Sequence, residues 1–572
     1  MNYEKNGLSL HQRNYLMSLY KIDIQRRRVY FIILLMMIGT MMLAVPAKRG
    51  VWQELKLKDG TTVLAELKGD EWCHYWQTAD GTIIMCQDDG YAKVEDVDAW
   101  KQGVRSKKKG VRNRKAARKQ THGFPSYIGK KRGLLILAEF SNMKFISGHD
   151  AQFYENVANK VGFMSEEGYN GSVHDYFMDQ SGGLFDLTFD VVGPLALSHN
   201  YEYYGENDSE GYDKRSGAMV AEAIQKANNL VDYGDYDWDG DGEVDMVMVI
   251  YAGRGEADGG NVNTIWPHQW DLSCSDYGKS KKLDGVTIDT YACANEMESN
   301  KSTGIGTICH EFSHGLGLRD MYDFYENNYG MGSWSVMDDG TYGGDGFCPS
   351  GYTSFEKMSC GWLEPVVLTN DTTINDMKSQ SNGGEAYLLQ NDGWKDEYYL
   401  IEYRQQTGWD AKLPGSGMLI IHIDYDEKVW FQNEVNTTSK KKSVTHNTHQ
   451  RCTIFHADNS TKGEAGDPYP YRDNNKLTAI SEPAATLYHN NADSTMFMGK
   501  SITDITKNED GTMSFTIGPQ QYEIDGIAHH QIPNRTQKRP APVYSLDGRY
   551  LGNDLQRVKP GLYIVDGKKV VK

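Results

Sequence analysis

Residues 307–323 read TICHEFSHGLGLRDMYD, which contains the pattern HExxHxxGxxD. Residues four apart lie on one face of a helix, so His310 and His314 can present two imidazole nitrogens to one metal ion. Glu311 then points beside the metal, where it can act as a general base on a water molecule without using a coordination position. This stretch predicts a helix at the centre of an α/β layer, with two metal ligands and a base.

The residues that follow the predicted helix supply a third ligand. Gly317 permits a sharp turn through a backbone conformation that other residues avoid, and the turn returns Asp320 to the metal. HExxH arises by chance in about 3% of chains with this histidine content, and the added Gly and Asp lower that to roughly a few in ten thousand. We therefore predict a catalytic zinc on two histidines and one aspartate, with one position open for water and a substrate carbonyl.

Two further residues downstream are candidates for the same site. Residues 332–340 read GSWSVMDDG and place Met337 in a turn 17 residues after Asp320. We expect Met337 to form an apolar floor beneath the metal. Tyr342 is a candidate for lining the site and stabilising an oxyanion, although an ordinary structural role fits it as well.

An acidic loop upstream predicts a second metal. Residues 236–245 read YDWDGDGEVD, and the DxDxDG spacing is typical of calcium loops. An EF-hand has a bidentate Glu at its twelfth position, where this loop has Met248, so a helix–loop–helix site is excluded. A calcium loop leading into a strand and a plain acidic turn both remain open. The candidate calcium ligands are Asp237, Asp239, Asp241 and Asp245.

The surrounding pattern predicts a multidomain α+β protein. Residues 133–140 and 244–251 are continuous apolar runs typical of buried strands, and Ser172 marks the start of an amphipathic helix. Beyond residue 365 strands with Gly, Asn and Asp turns dominate. The predicted organisation is a β-rich module at 48–100, a basic linker at 101–122, an α/β catalytic domain with a mixed sheet and active-site helix at 123–365, a β-sandwich at 366–518 and a short β tail at 519–572.

The N-terminal region predicts export. Three arginines at 26–28 precede an apolar run at 29–45, and small residues follow. This pattern is typical of a signal peptide, predicted here as residues 1–47 with cleavage after Ala47; an uncleaved anchor is the alternative. Residues 101–119 contain ten Lys or Arg and no Asp or Glu, which indicates an exposed linker or a processing site.

Composition limits the partners. The formal net charge is -18 over 572 residues, which argues against nucleic acid as a partner because such binders carry a basic footprint. The eight cysteines are too few for a disulfide scaffold, but their placement about turns makes two bridges plausible. The candidate pairs are Cys73 with Cys86 and Cys274 with Cys293.

At these residues the chain resembles the immune inhibitor A family of secreted bacterial metallopeptidases, whose third zinc ligand is Asp. The resemblance extends over roughly residues 50–518. It implies a metzincin-like catalytic domain acting on extracellular proteins, with His310, His314 and Asp320 as ligands and Glu311 as catalyst. The family signposts are GSVHDY at 171–176, IWPH at 265–268, GWL at 361–363 and YLIEYR at 399–404.

The resemblance also implies latency and a route of export. The module before the basic linker is then a propeptide, and Cys73 or Asp70 is a candidate for blocking the zinc. Residues 519–572 resemble the sorting domain of type IX secretion cargo, which implies contact with secretion machinery and delivery to the surface or medium. The membrane is then involved only in export, and we expect a monomer.

Two other functions stay open on the sequence alone. A zinc amidase that acts on cell wall would use the same ligands and base. A surface adhesin with an inactive metal site would use the β modules for binding instead. The intact catalytic positions favour the peptidase.

Overall fold

The computed structural model describes residues 43–521, with gaps at 72–73, 88–89, 98–99, 101–126, 209–210, 326, 439–446 and 462–464, together with short strands beyond 521. The predicted signal segment up to residue 42, Cys73 and the basic linker lie outside the described residues. The chain divides into two compact units, Met1–Tyr522 and Glu523–Lys572. Among the described helices, none has the length and apolar character needed to cross a membrane.

The N-terminal part of the first unit is an antiparallel sheet of five neighbouring strands. Alternation along the strands places small and apolar side chains on one buried face, including Ala65, Leu67 and Trp76. A two-residue strand, β1, precedes this sheet and joins another one. The strands are β1 (Leu43–Ala44), β2 (Trp52–Lys56), β3 (Thr62–Lys68), β4 (Tyr75–Thr78), β5 (Ile83–Gln87) and β6 (Gly90–Lys93).

A mixed seven-stranded sheet forms the centre of the next part, in the order β1-β10-β13-β9-β7-β8, with β14 paired to β13. Four strands are parallel to one another, in the order β13-β9-β7-β8. Strands β10 and β1 are antiparallel additions at the β13 edge. The strands are β7 (Gly129–Glu139), β8 (Phe185–Ala196), β9 (Val247–Arg254), β10 (His268–Asp271), β11 (Lys281–Leu283), β12 (Val286–Ile288), β13 (Thr290–Glu298) and β14 (Lys301–Ser302).

Helices cover both faces of this sheet, which explains why its central strands read as continuous apolar runs. Along β9, Met248 and Ile250 face one core while Val247 and Val249 face the other. Helix α2 begins at Ser172 with a capping box, as the sequence predicted. The helices are α1 (Ala151–Asn159), α2 (Val173–Gln180), α3 (Tyr201–Gly205), α4 (Ser216–Ala227), α5 (Gly306–Gly315) and α6 (Ser354–Ser359).

The last part of the first unit contains a five-stranded and a three-stranded sheet. Both sheets contribute to one apolar core, which fits the expected sandwich; its bounds remain a prediction. The other face of β18 and β19 packs into the core of the preceding domain through Leu400, Leu419 and Ile421. The elements are β15 (Val366–Val367), β16 (Thr372–Met377), β17 (Tyr387–Gln390), β18 (Glu397–Arg404), β19 (Gly417–Asp424), α7 (Glu427–Phe431), β20 (Cys452–Ile454), β21 (Lys500–Lys507) and β22 (Met513–Pro519).

The second unit is a four-stranded antiparallel sheet in the order β24-β23-β25-β26. Its strands are β23 (Val543–Ser545), β24 (Tyr550–Gly552), β25 (Leu562–Val565) and β26 (Lys568–Val571). The residues between β23 and β24, and those between β25 and β26, lie outside the described part of the chain. A β tail is therefore present, while its sorting role remains a prediction.

One of the two candidate disulfides is wrong. Cys293 carries a free, fully buried thiol in β13. The side chain points into the core on one face of the sheet, where its sulfur lies 3.5 Å from Nδ1 of His268. The pair Cys274–Cys293 is not bridged. For the pair Cys73–Cys86, one member lies outside the described residues.

Candidate active site

Helix α5 carries the two histidines into the centre of the domain. His310 and His314 are both buried, and their Nε2 atoms lie 3.1 Å apart. Each ring is held by a backbone carbonyl at its other nitrogen: Nδ1 of His310 is 2.7 Å from the oxygen of Val336, and Nδ1 of His314 is 3.0 Å from that of Leu318. A carbonyl only accepts hydrogen bonds, so each Nδ1 carries the proton and each Nε2 presents its lone pair.

The turn after α5 brings Asp320 to the histidines, as the sequence predicted. Gly317 has φ +94°. Its N–H donates to the carbonyl of His314, and the next N–H, of Leu318, donates to that of Ser313. This is the hydrogen-bond pattern of a Schellman helix end, for which glycine is preferred. Oδ1 of Asp320 then lies 3.3 Å from Nε2 of both histidines.

These three atoms fit a metal ion. The two Nε2 atoms and Oδ1 of Asp320 all present lone pairs, and Oδ1 is buried without a hydrogen-bond partner among the described residues. Burial lowers the pKa of His314, which keeps its ring neutral. Facing lone pairs repel one another unless a cation lies between them, and two nitrogens with one oxygen suit zinc.

Glu311 lies beside the cluster and is not a member of it. Its carboxyl is fully buried, and burial, together with the charge of Asp320, raises its pKa well above the usual range. Oε1 accepts a hydrogen bond from the N–H of Val45 at 2.8 Å. Oε2 has no hydrogen-bond partner in the described part of the chain. A buried carboxyl with a raised pKa and one available oxygen is suited to accept and return a proton.

A residue of the C-terminal β domain holds the third ligand. Asn433 follows α7 and is 1% exposed, with φ +50°. Its Nδ2 donates to Oδ2 of Asp320, and its Oδ1 accepts from the backbone N–H of Asp320 at 2.9 Å. The carboxylate is thus oriented from a domain that the motif does not include. No signal in the sequence near the zinc motif points to this asparagine.

Replacing Asn433 with alanine is expected to weaken zinc binding about 10- to 100-fold, because outer partners of metal ligands contribute at this scale. Titration against a zinc-selective competitor would measure the change in dissociation constant. Asn391→Ala is a matched control, since Asn391 is also a buried amide of the β domain but bonds Glu397 instead. Equal zinc affinity in the parent and the Asn433 variant would contradict the assignment.

The turn that carries Met337 supports the site through its backbone. Met337 is fully buried, and its carbonyl accepts from the N–H of Met321 at 2.8 Å. The carbonyl of the preceding residue, Val336, orients His310. Tyr342 faces the cleft, where its hydroxyl donates to the carbonyl of Pro46 at 2.7 Å.

The acidic loop brings together three of its four candidate carboxylates. Asp237, Asp239 and Asp241 present oxygens close enough to share one ion, and two of these residues are exposed. Asp237 also accepts backbone hydrogen bonds from within the loop. Asp245 is not part of this group, and its Oδ2 accepts from the N–H of Trp238 at 2.7 Å.

A segment that the sequence assigned to the signal peptide lies in the cleft. Residues 43–48, here called the cleft segment, begin with β1, which pairs antiparallel with the sheet edge β10. Ala44 and Val45 are completely buried. Further along, the N–H of Ala47 donates to Gly69 of the N-terminal module at 2.7 Å. Small apolar residues fit a signal-peptidase site and a narrow cleft equally well, so the sequence pattern did not distinguish the two.

Of the two residues proposed to block the zinc, Asp70 is described by the structure and is not in the metal cluster. Asp70 is buried nearby, with Oδ2 3.5 Å from the hydroxyl of Tyr322, but it does not join the three ligands. Cys73 lies outside the described residues. The described part of the chain that reaches Glu311 is the cleft segment.

The buried HExxH helix, the returning aspartate and the mixed sheet define a metallopeptidase of the HExxH class. More specifically, residues 137–364 match the family model described as immune inhibitor A peptidase M6, catalytic domain. This match supports metalloendopeptidase activity, that is, hydrolase activity, for the matched domain.

Individual relatives agree with this assignment. The pre-pro-metalloprotease PrtV of Vibrio cholerae serotype O1 is 28% identical over 226 residues, which cover 34% of this chain and 25% of the relative. Immune inhibitor A of Bacillus thuringiensis subsp. alesti is 24% identical over 305 residues, covering 43% of each chain. The chain therefore spans less than half the length of these relatives.

Proposed function

We propose that this protein is a zinc-dependent endopeptidase that hydrolyses peptide bonds of extracellular proteins, with His310, His314 and Asp320 as zinc ligands and Glu311 as general base. The observation that carries the proposal is the convergence of three lone-pair atoms within 3.1–3.3 Å of one another. The N–H of Val45 bonds to Glu311 beside them, which supports a carboxyl within reach of a bound peptide.

The chain's own residues perform defined parts of the reaction. Zinc bound here would supply Lewis-acid chemistry to the carbonyl and to water. Glu311 takes a proton from the water and returns it to the leaving nitrogen, which the contact with an amide N–H permits. The buried surroundings exclude competing water and strengthen these interactions.

Latency follows from the cleft segment. Strand β1 of the cleft segment occupies the edge strand β10, and Ala47 bonds to the N-terminal β module, so in this proposal a substrate reaches that edge only after the segment leaves. We propose that the protein is a zymogen released by cleavage in residues 101–119. The names of the relatives support a protease that acts on proteins, and the predicted signal and tail support export to the surface or medium. For the cleft segment to remain in the exported zymogen, the signal must end before residue 43 and not at Ala47. We also propose that the protein is a monomer and that nucleic acid is not one of its partners.

Metal removal tests the proposal. The full-length protein, cut in the basic linker, is expected to hydrolyse casein and to lose at least 90% of that activity with a zinc-selective chelator, as a rough figure, because the ligand cluster then has no ion. Added zinc should restore the activity and calcium should not. Release of peptides free of sugar from cell wall, with casein left intact, would favour the amidase. Zinc binding without any hydrolysis would favour the adhesin.

Calcium is proposed for the acidic loop alone. Three converging carboxylates support it, and they lie apart from the zinc ligands. A calcium-selective chelator is therefore expected to lower the unfolding temperature while the zinc content stays constant. Unchanged unfolding with and without calcium would leave the loop as an acidic turn.

A further inference from the structure

The peptide bond between Ala44 and Val45 lies between two side chains of the catalytic domain. On the nitrogen side, the N–H of Val45 donates to Oε1 of Glu311 at 2.8 Å. On the oxygen side, the carbonyl of Ala44 accepts from the hydroxyl of Tyr322 at 2.7 Å. Tyr322 stands two residues after Asp320, so the same turn that forms the metal site also places this hydroxyl.

The backbone of the cleft segment indicates that other peptides follow the same path. Leu43 and Ala44 pair antiparallel with Gln269 and His268 of the edge strand β10. Pairing with a sheet edge uses main-chain hydrogen bonds, which every extended peptide can form regardless of its side chains. The cleft segment therefore marks where a substrate lies in relation to Glu311 and Tyr322.

We propose that Tyr322 is a catalytic residue that holds the carbonyl oxygen of the peptide bond being cut, an inference that rests on the proposed function. In hydrolysis the water oxygen bonds to the carbonyl carbon, the C–N bond breaks, and the nitrogen gains a proton. Glu311 lies at the nitrogen of this bond and has Oε2 left for the water. Tyr322 lies at the oxygen, where a donor stabilises the negative charge that develops in the transition state.

Tyr342, for which the sequence suggested this role, lies further along the peptide. Its hydroxyl donates to the carbonyl of Pro46, two residues after that of Ala44. Nε1 of Trp266 donates to the intervening carbonyl, of Val45, at 3.0 Å. Tyr342 and Trp266 thus position the leaving side of the substrate, whereas Tyr322 contacts the reacting group.

The size of the buried side chains in the cleft segment also predicts which substrate side chains fit. Ala44 and Val45 on the two sides of the bond are each 0% exposed, so the described cleft encloses small apolar side chains at both positions. The test therefore uses peptides with the sequence of residues 43–50, LAVPAKRG.

Tyr322→Phe tests the assignment in the full-length protein, loaded with zinc and cut by trypsin in the basic linker. The variant is expected to lower kcat on LAVPAKRG about 100-fold with KM within threefold, the usual cost of one oxyanion donor. Tyr342→Phe is the matched control and should mainly raise KM.

The second readout is binding. A phosphinic analogue of the peptide has a phosphinyl group in place of the Ala44 carbonyl and a methylene in place of the Val45 nitrogen. It should bind the Tyr322→Phe variant about 100-fold more weakly than the parent. In a Glu311→Gln background, the protein with Tyr322 and the Tyr322→Phe variant should bind the unmodified peptide with equal affinity.

Each outcome decides the role of Tyr322. Values of kcat and phosphinic affinity within threefold of the parent overturn the proposal. So does an equal loss of affinity for both peptides, because Tyr322 would then hold only the ground state. If the parent binds zinc and the phosphinic peptide but cleaves nothing, the proposed function fails while the binding comparison still decides the contact of Tyr322. A zinc-loaded parent that neither binds nor cleaves the peptides overturns both.

Discussion

Glu311→Gln is expected to reduce peptide hydrolysis by about 10²- to 10⁴-fold, the range by which a positioned general base accelerates proton transfer. The amide cannot accept the water's proton, although it can still accept the N–H of a bound peptide. Zinc content should remain that of the parent, since Glu311 is not among the three clustered ligands. Casein hydrolysis and metal analysis of the same sample measure both quantities.

The protein should tolerate this substitution. Burial raises the pKa of the Glu311 carboxyl, so the fold carries a cost for its ionisation that a neutral amide avoids. Glu356→Gln is the matched control: Glu356 is another fully buried glutamate of the catalytic domain, but its carboxylate caps α6 and accepts from Ser335. We expect that variant to stay within a few-fold of parental activity. A Glu311→Gln protein that cleaves as fast as the parent would falsify the mechanism.

Arg404→Met is expected to destabilise the protein by about 3–5 kcal/mol, because it leaves buried carboxylates without their cation. Arg404 in β18 is 0% exposed. Its Nε donates to Oδ2 of Asp410 at 2.7 Å, and Nη1 donates to Oε1 of Glu402 at 3.2 Å. Nη2 also donates to Oδ1 of Asp410, and the remaining donors reach the carbonyls of Trp334 and Gly351 in the catalytic domain.

Chemical denaturation of the full-length protein measures this loss. Arg132→Met provides the comparison, because the Arg132 side chain is 49% exposed while it pairs with Asp190 and Asp235. We expect that change to cost under about 1 kcal/mol, as exposed ion pairs generally do. Similar losses in the two variants would mean that the buried network does not join the domains as described.

Local patterns predicted much of the fold and the centre of the site. The helix with His310, Glu311 and His314, its end at Gly317 and the buried strands all follow from spacing and hydrophobic periodicity, which act within a few residues. The cap at Ser172 is of the same kind. These features depend on neighbours in sequence, so a single chain reveals them.

The partners of these residues come from distant parts of the chain. Asn433 lies 113 residues beyond Asp320, and Val45 lies 266 residues before Glu311. Such contacts arise from the packing of sheets on one another, for which the sequence carries no periodic signal. The cleft segment was assigned to a leader because Val45 and Ala47 are small, and size alone does not separate a cleavage site from a tight fit.

The two hydrogen bonds between Asn433 and Asp320 have a consequence for the order in which the parts of the site form during biosynthesis. A chain made from its N-terminus completes the HExxH helix long before residue 433 has been synthesised. Until then the third ligand lacks its Asn433 partner, whereas the cleft segment, synthesised long before residue 433, is already available to fill the peptide site. In the proposed zymogen, the inhibitory segment is thus synthesised before the catalytic centre is finished.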